Sequence, residues 1–499
     1  MGIRKVGQWL APAVLLFETI VPQPALAASV VRNERDWFGR IALRRDAAKP
    51  PKLTQGDPIE VWSTAANDAM AVDHTPVAPG ENRVFGEQLG PARSARAMAI
   101  VHIAMFEALN AIDHQYASYT GITPIAANLA VDSRAAVAQA AYDTMAYLYP
   151  SQKARFDTIL SEYLSKTPRR PAILRGINLG HTCALSIINR RTNDGSGHTE
   201  PVIGVDYQPG TAPGDWQQDP ISQSPIALGA FWGRVKPFVL SSSSQFRVPP
   251  PPALTSADYT TAFDEVFRLG GNGVVGGSPT QRTAEQTIIG KFWGYDGTPQ
   301  LGTPPRFYNQ IALVIAKQMG TTGIELARLM ALINVALGDT GIATWESKYV
   351  YEFWRPITAI RNALGDGNPN TTGDPNFIPL GAPASNTNGP DFTPPFPAYP
   401  SGHAAFGGAL FQILRGFYGT DAIAFSVVSD EFNGITKDSD GTTRPRLSRS
   451  FGSLSQDEEE NGQSRIYLGI HWSFDKTEGV IQGRSVADEV LRTTFLPAP

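Results

Sequence analysis

Apolar residues recur at the three- and four-residue spacing of an amphipathic helix through much of the first half of the chain. The spacing predicts helices over about 92–112, over about 133–147 with Ser133 as the N-cap, from Ser151 onward, and over about 171–191. Four helices of similar length with short connections are typical of a bundle.

Helical spacing resumes at about Thr255, after a long segment rich in proline, glycine and serine. Ser278-Pro279-Thr280-Gln281 has the pattern of a capping box at a helix start. Another predicted helix begins at Ser401 and ends at Gly419, after a second long loop over about 364–398. No strong strand-like alternation is evident. The sequence therefore predicts an all-α fold of two four-helix bundles with long irregular loops.

These patterns divide the chain into four parts. Residues 1–27 have the pattern of a signal peptide, and residues 28–88 are predicted to form an irregular N-terminal arm. Residues 89–253 hold the N-terminal bundle with its long loop, and residues 254–499 hold the C-terminal bundle. The two bundles are expected to form one compact unit.

The first 27 residues predict export to the periplasm or secretion. Arg4 and Lys5 precede an apolar run, and Ala25-Leu26-Ala27 matches a cleavage pattern of small residues. Glu18 and Pro22 leave too few apolar residues for a spanning helix, and no later stretch of sufficient length is evident. Stable membrane insertion is therefore not expected.

Composition narrows the class of protein further. The formal net charge of −4 argues against a nucleic-acid partner, so any cationic site is a local concentration of charge. The single cysteine, Cys183, lies in an apolar helical pattern and predicts a buried structural thiol.

Three clusters in the C-terminal third carry the candidate chemistry. They contain Lys348 with Arg355, Ser401-Gly402-His403, and Arg465 with His471 and Asp475. Together they supply three cations, two imidazoles, a hydroxyl and a glycine amide. This set of groups predicts a site that binds a tetrahedral oxyanion and places an imidazole against the central atom of that anion.

Spacing suggests how the first two clusters are arranged. Lys348 and Arg355 are seven residues apart, which would place both cations on one helix face with an anion between them. Ser401 lies at a helix start, where free N–H groups favour an anion, and Gly402 allows close backbone approach. His403 follows in the first turn, where it can exchange a proton with a bound oxygen.

In the third cluster, His471 and Asp475 have the i, i+4 spacing of helix neighbours, so the carboxylate can fix the imidazole tautomer. Arg465 must reach around the helix, or the helix must distort near Gly469. Taken singly, the clusters also fit a solvated basic stripe, a plain N-cap with a surface histidine, and a helix salt bridge. All three together favour the oxyanion site.

The clusters resemble the motifs shared by type 2 phosphatidic acid phosphatases and vanadium-dependent haloperoxidases. Wider stretches resemble the fungal-type vanadium chloroperoxidases, whose fold is two four-helix bundles. The similarity is dense over about 285–475, and its main segments are Phe292–Asp296, Glu346–Pro356, Gly381–Asn388 and Pro394–Gly408.

The resemblance implies a role for each candidate residue. Vanadate oxygens would be bound by Lys348, Arg355, Ser401, Gly402 and Arg465. His471 would ligate vanadium, His403 would act as the acid–base group, and Asp296 would hold Arg465. Trp345 and Phe396 would line the halide side, and phenylalanine at 396 indicates chloride competence.

The activity implied is oxidation of bromide, and of chloride, by hydrogen peroxide to hypohalous acid, which halogenates an organic acceptor. Vanadate would be the cofactor. Two alternatives stay open: an acid phosphatase of the same superfamily acting through a phosphohistidine, and a non-catalytic oxyanion-binding protein, which would not need His403. The segment between Gly419 and Ser464 differs from the fungal pattern, so the organic substrate is not predicted.

Overall fold

Helices form most of the regular structure in the computed structural model, which describes residues 28–47, 56–165 and 171–498. The predicted signal peptide lies outside these residues. The N-terminal half contains α1 (Glu34–Phe38), α2 (Pro58–Asp73), α3 (Pro91–Asp113), α4 (Ser133–Leu148), α5 (Lys153–Ser165) and α6 (Pro171–Arg191). The C-terminal half contains α7 (Ala257–Leu269), α8 (Ala284–Phe292), α9 (Pro304–Gln318), α10 (Gly323–Tyr351), α11 (Pro356–Arg361), α12 (Gly402–Tyr418), α13 (Leu454–Tyr467) and α14 (Ser473–Thr493).

The four helices predicted for the N-terminal bundle are confirmed as α3 to α6. α4 packs against α3, α5 and α6, and α3 also packs against α10 of the second bundle. Asp132, and not Ser133, is the N-cap of α4, since its carboxylate accepts a hydrogen bond from the N–H of Ala135 at 2.9 Å. The mainly helical fold agrees with the prediction.

The prediction of an irregular arm over 28–88 is wrong for α2. Asp57 caps this helix through the N–H of Ile59 at 2.8 Å, and Pro58 occupies its first turn. α2 packs against α3, α4, α9 and α10, so it is buried over most of its surface. A helix buried on several sides lacks a single apolar stripe, which explains why the helical spacing of apolar residues is weak in the sequence of α2.

α10 and α3 form the centre of the fold. One hydrophobic core extends from α3 and α4 through α10 to α12 and α14. Among the described residues, α3 and α10 are long and apolar enough to span a membrane, contrary to the expectation that no such stretch exists. In both helices 94% of the apolar stretch is buried inside the protein, which is typical of core helices.

A small antiparallel sheet was not predicted. Strand β1 (Phe425–Asn433) pairs with β2 (Arg446–Phe451), with Phe425 opposite Phe451 and a bulge between Val428 and Asn433. The inward residues of β1 are Phe425, Val427, Ser429 and Glu431. Because two of these four are polar, the strand shows no alternation of apolar and polar residues.

Two predicted helix ends are confirmed and one is wrong. Ser401 caps α12, and Gly419 ends it with a positive φ of 70°. The capping box of α8 is formed by Thr283 and Gln286, not by Ser278–Gln281. Ser278 instead accepts a hydrogen bond from the N–H of Ile378 at 2.7 Å and holds a loop.

Glycines let α14 approach α12 closely. A Cβ at Gly483 would overlap the carbonyl oxygen of Ala405, and one at Gly408 would lie 2.5 Å from the carbonyl oxygen of Val480. The close contact fixes the first turn of α12, and hence Ser401 and His403, relative to the start of α14.

Gly483→Ala should lower the free energy of unfolding by about 1–3 kcal/mol, because an added methyl group must displace backbone in a packed interface. Gly365→Ala is the control, since a Cβ there meets no atom within 4 Å. Denaturant unfolding of both variants measures the effect. Equal stability of the two variants would contradict the close packing.

Candidate active site

Lys348 and Arg355 converge through a turn. The prediction that they share a helix face is wrong, because Glu352 takes a left-handed conformation (φ 46°) and ends α10, and Arg355 is the N-cap of α11. Lys348 Nζ donates hydrogen bonds to the carbonyls of Pro397 and Ala398 at 2.8 and 2.9 Å. Arg355 Nε donates to the carbonyl of Phe396 at 2.9 Å, so one loop segment holds both cations.

The third cluster also depends on a break in the helix. α13 ends at Tyr467, and Gly469 turns the chain with a φ of 72°, which confirms the expected distortion there. His471 precedes α14 and is not part of it, so its predicted position on a helix is wrong. The predicted pairing is confirmed, since His471 Nδ1 lies 2.7 Å from Asp475 Oδ2.

The partners of His471 define its tautomer. Arg355 Nη1 lies 2.9 Å from His471 Nε2, and a guanidinium can only donate. Nε2 must therefore accept, and the ring proton is on Nδ1, where it is donated to Asp475. His471 thus presents a lone pair at Nε2 among the cations, as a ligand to a metal or a nucleophile requires.

His403 has the opposite tautomer. It lies in the first turn of α12, and its Nε2 is 3.0 Å from the carbonyl oxygen of Trp293 and 2.8 Å from that of Gly294. Carbonyls only accept, so Nε2 carries the proton. Nδ1 is then the unprotonated nitrogen left for the cavity that His403 lines.

Arg465 is held by Asp296, as predicted. Arg465 Nη2 donates to Asp296 Oδ1 at 2.6 Å, and both side chains are buried. Asp296 follows Tyr295, which has a positive φ of 53° that a non-glycine residue rarely adopts. This strained turn, residues 293–296, carries both the partner of Arg465 and the two carbonyls that bind His403.

Several buried donors face this site without a partner among the described residues. They are Arg355 Nη2 and the Nε and Nη1 atoms of Arg465. Unpaired donors in a protein interior are costly unless a ligand satisfies them. Together with the N–H groups at the start of α12, they fit the oxygens of a tetrahedral anion whose central atom meets His471 Nε2.

One wall of the site is aromatic. The rings of Trp345 and Phe396 lie 5.0 Å apart, and Lys348 Nζ and Arg355 Cζ lie 5.1 and 4.9 Å from the centre of the Phe396 ring. Trp345 Nε1 donates to the carbonyl of Leu228 at 3.1 Å. This wall places an apolar surface beside the two cations.

The site opens into a small cavity. Sequence reasoning missed part of its lining, namely Trp37 of α1, Tyr295 and Pro304. Trp37 Nε1 donates to the carbonyl of Gly297 at 3.0 Å, which joins the N-terminal arm to the turn at 293–296. No spacing rule connects residue 37 with residue 297, so only the fold reveals this contact.

Burial and mutual repulsion shift the pKa of the site groups. Burial lowers the pKa of Lys348 well below its usual value, and the charges of Arg355 and Arg465 lower it further. Burial, followed by the nearby cations, also lowers the pKa values of His403 and His471. Burial lowers the pKa of Arg355 to about 9. A bound anion would oppose every one of these shifts.

Comparison with known proteins identifies the class. The family model described as the VCPO second helical-bundle domain matches residues 328–495. The chain is 32% identical over 495 residues to vanadium chloroperoxidase from Curvularia inaequalis, which covers 83% of this chain and 78% of that protein. The chain therefore belongs to the vanadium haloperoxidase family.

Other relatives agree with this class. The vanadium-dependent bromoperoxidase from Corallina officinalis is 28% identical over 143 residues, covering 28% of this chain and 22% of that protein. The crystal structure of a bacterial vanadium-dependent iodoperoxidase has a TM-score of 0.69 at 24% identity and covers 91% of this chain and all (100%) of that one. A holo-type bacterial vanadium-dependent chloroperoxidase has a TM-score of 0.64 at 18% identity, with 89% and 98% covered. These two structures share the fold.

Sulfate should bind this site more weakly as the pH rises. An anion raises the lowered pKa of Lys348 and of the two histidines, so binding takes up protons. The affinity for sulfate is therefore highest below the lowered pKa values of the free protein. It falls as the pH rises from these values to the higher pKa values of the sulfate-bound protein. Isothermal titration at several pH values measures it, and Lys348→Met should flatten the dependence. Affinity that does not change with pH would contradict this linkage.

Proposed function

We propose that this protein is a vanadate-dependent haloperoxidase, which uses hydrogen peroxide to oxidise a halide to hypohalous acid. The observation that carries the proposal is the lone pair of His471 Nε2, held by Asp475 among three buried cations. Family membership supports vanadate as the oxyanion. When bound, vanadate supplies a Lewis acid that activates peroxide without a change in its oxidation state.

Each residue of the site has a separate proposed role. His471 Nε2 would ligate vanadium, in place of its hydrogen bond with Arg355 Nη1. Lys348, Arg355, Arg465, Ser401 and Gly402 would neutralise and orient the oxygens of vanadate. Lys348 uses two of its three N–H groups on carbonyls, which leaves one for an oxygen. A single ammonium is suited to stabilising negative charge that grows on one oxygen during halide attack.

His403 handles the protons. Its pKa is lowered by burial, and then by Arg465, so the ring is neutral and Nδ1 can accept a proton from hydrogen peroxide. The hydrogen bonds from Nε2 to the carbonyls of Trp293 and Gly294 fix the ring, which lines the cavity, and leave Nδ1 as its free nitrogen. The same nitrogen can return the proton to the leaving oxygen.

We propose bromide as a substrate and chloride as a second one. Phe396 supports this, because its ring covers two cations and makes the halide side apolar, which raises the electrostatic attraction of a small anion. The organic acceptor would then react with the hypohalous acid formed.

We also propose export, on the pattern of residues 1–27 alone.

Halogenation should require vanadate and hydrogen peroxide together. Protein freed of vanadate should brominate a phenol-type dye only after vanadate is added, and phosphate should slow the recovery, since both anions compete for the same cations. Chloride, bromide and iodide are compared, and phosphate-ester hydrolysis is measured in parallel. Full halogenation by vanadate-free protein would overturn the proposal. Ester hydrolysis alone would favour the phosphatase, and binding without either activity would favour an oxyanion-binding protein.

His471→Ala should abolish tight vanadate binding, because it removes the nitrogen that meets the metal. His403→Ala should retain binding but lower turnover on the order of 10²-fold, the usual contribution of an acid–base group. Vanadate affinity and the rate at saturating vanadate are measured for both variants. His114→Asn, at an exposed left-handed position, is the control and should change neither quantity. Reversed phenotypes of the two site variants would show that the roles are wrongly assigned.

A further inference from the structure

Glu431 lies on β1 and contacts the turn at residues 293–296 from behind. It is completely buried. Its Oε1 accepts a hydrogen bond from the N–H of Tyr295 at 3.0 Å, and its Oε2 accepts one from Ser385 Oγ at 2.5 Å. Oε2 also forms an ion pair with Arg444. The carboxylate therefore joins the turn to two separate segments of the chain.

The turn needs such support. Tyr295 has a positive φ, a conformation that persists only where surrounding contacts hold it. Gly294 leaves room for the carboxylate, since a Cβ there would overlap Glu431 Oε1 and lie 2.8 Å from Pro383 Cγ. Glu431 thus packs directly against the backbone of the turn and satisfies the N–H of its strained residue.

The two ends of the turn at 293–296 hold two different side chains of the site. Its first two carbonyls fix the tautomer and direction of His403, and Asp296 holds Arg465. By contrast, Lys348 and Arg355 donate hydrogen bonds to the loop at 396–398. Arg355 also bonds to Ile470 and His471, and His471 bonds to Asp475. A change at the turn should therefore affect His403 and Arg465 more than Lys348, Arg355 and His471.

Burial raises the pKa of Glu431, and the charge of Arg444 opposes this shift. The Arg444 side chain is 3% exposed, and it also binds Asp438 at 2.6 Å, which Lys291 contacts at 3.1 Å. A charged carboxylate accepts more strongly than a neutral amide, and a buried ion pair has a defined geometry. The turn is therefore anchored to a network of fixed charges.

We propose that Glu431 is a positioning residue, which fixes the turn at 293–296 so that the His403 ring lines the cavity with Nδ1 as its free nitrogen. The proposal rests on the haloperoxidase function proposed above. Glu431 acts through the turn and does not touch the reacting atoms. It lies in the segment between Gly419 and Ser464.

Glu431→Gln tests the proposal. Glutamine replaces one carboxylate oxygen with an NH2 group, which only donates. In one orientation this group faces the Arg444 guanidinium, and in the flipped orientation it faces the N–H of Tyr295, so either way a donor meets a donor and the turn should shift. Turnover at saturating vanadate should fall at least about tenfold, since small misplacement of a catalytic group has large effects on rate. Vanadate affinity, measured by titration without peroxide, should change by less than about threefold, because most of the oxyanion ligands are held elsewhere.

Glu458→Gln is the matched control. Glu458 is also buried, and its carboxylate binds Arg415 and Arg484 rather than the turn. It should lose stability as Glu431→Gln does but retain turnover. Equal turnover in the two variants, or an equal loss of vanadate affinity and turnover in Glu431→Gln, would overturn the positioning role.

Ser385→Ala covers the case in which Glu431→Gln does not fold. It removes one hydrogen bond to Oε2 and should lower turnover severalfold with unchanged vanadate affinity; unchanged turnover would contradict the proposal. The unsubstituted protein is assayed first with vanadate, peroxide and bromide. Failure of that assay counts against the haloperoxidase function, whereas failure of the variants to differ from the control counts only against Glu431.

Discussion

The burial of three cations around one point is the constraint on which the rest of this structure depends. Lys348, Arg355 and Arg465 are at most 1% exposed. Like charges so placed repel one another and lose hydration, which is the physical cause of the lowered pKa values of Lys348 and Arg355. Backbone carbonyls, Asp296 and the face of Phe396 offset part of this cost, and the unpaired donors are left for an oxyanion.

The same surroundings give two histidines different chemistry. His471 and His403 are both buried and both have lowered pKa values. A carboxylate binds Nδ1 of the first, whereas carbonyls bind Nε2 of the second. One imidazole therefore presents Nε2 and the other Nδ1. The difference between the two rings follows from their hydrogen-bond partners, since burial acts on both rings in the same way.

The loops and the small sheet position these groups as much as the helices do. The loop at 396–398 binds two cations, the turn at 293–296 binds His403 and Arg465, and Glu431 of β1 binds that turn. The helix bundles supply a rigid frame, because glycines let α12 and α14 pack closely. Backbone carbonyls and strained turns then direct the side chains, which explains why long loops occur in an otherwise helical protein.

The sequence by itself determined the helical fold, most helix positions and the candidate residues that the structure brings together at this site, because helical periodicity and short motifs are local properties. Spacing predicted the pair His471–Asp475 and the family resemblance implied the pair Asp296–Arg465, and the structure contains both. Only the tertiary structure decided how Lys348 meets Arg355, which tautomer each histidine has, and that Trp37 and Glu431 support the site. These depend on backbone carbonyls and on contacts between distant segments, and neither leaves a periodic pattern in the sequence.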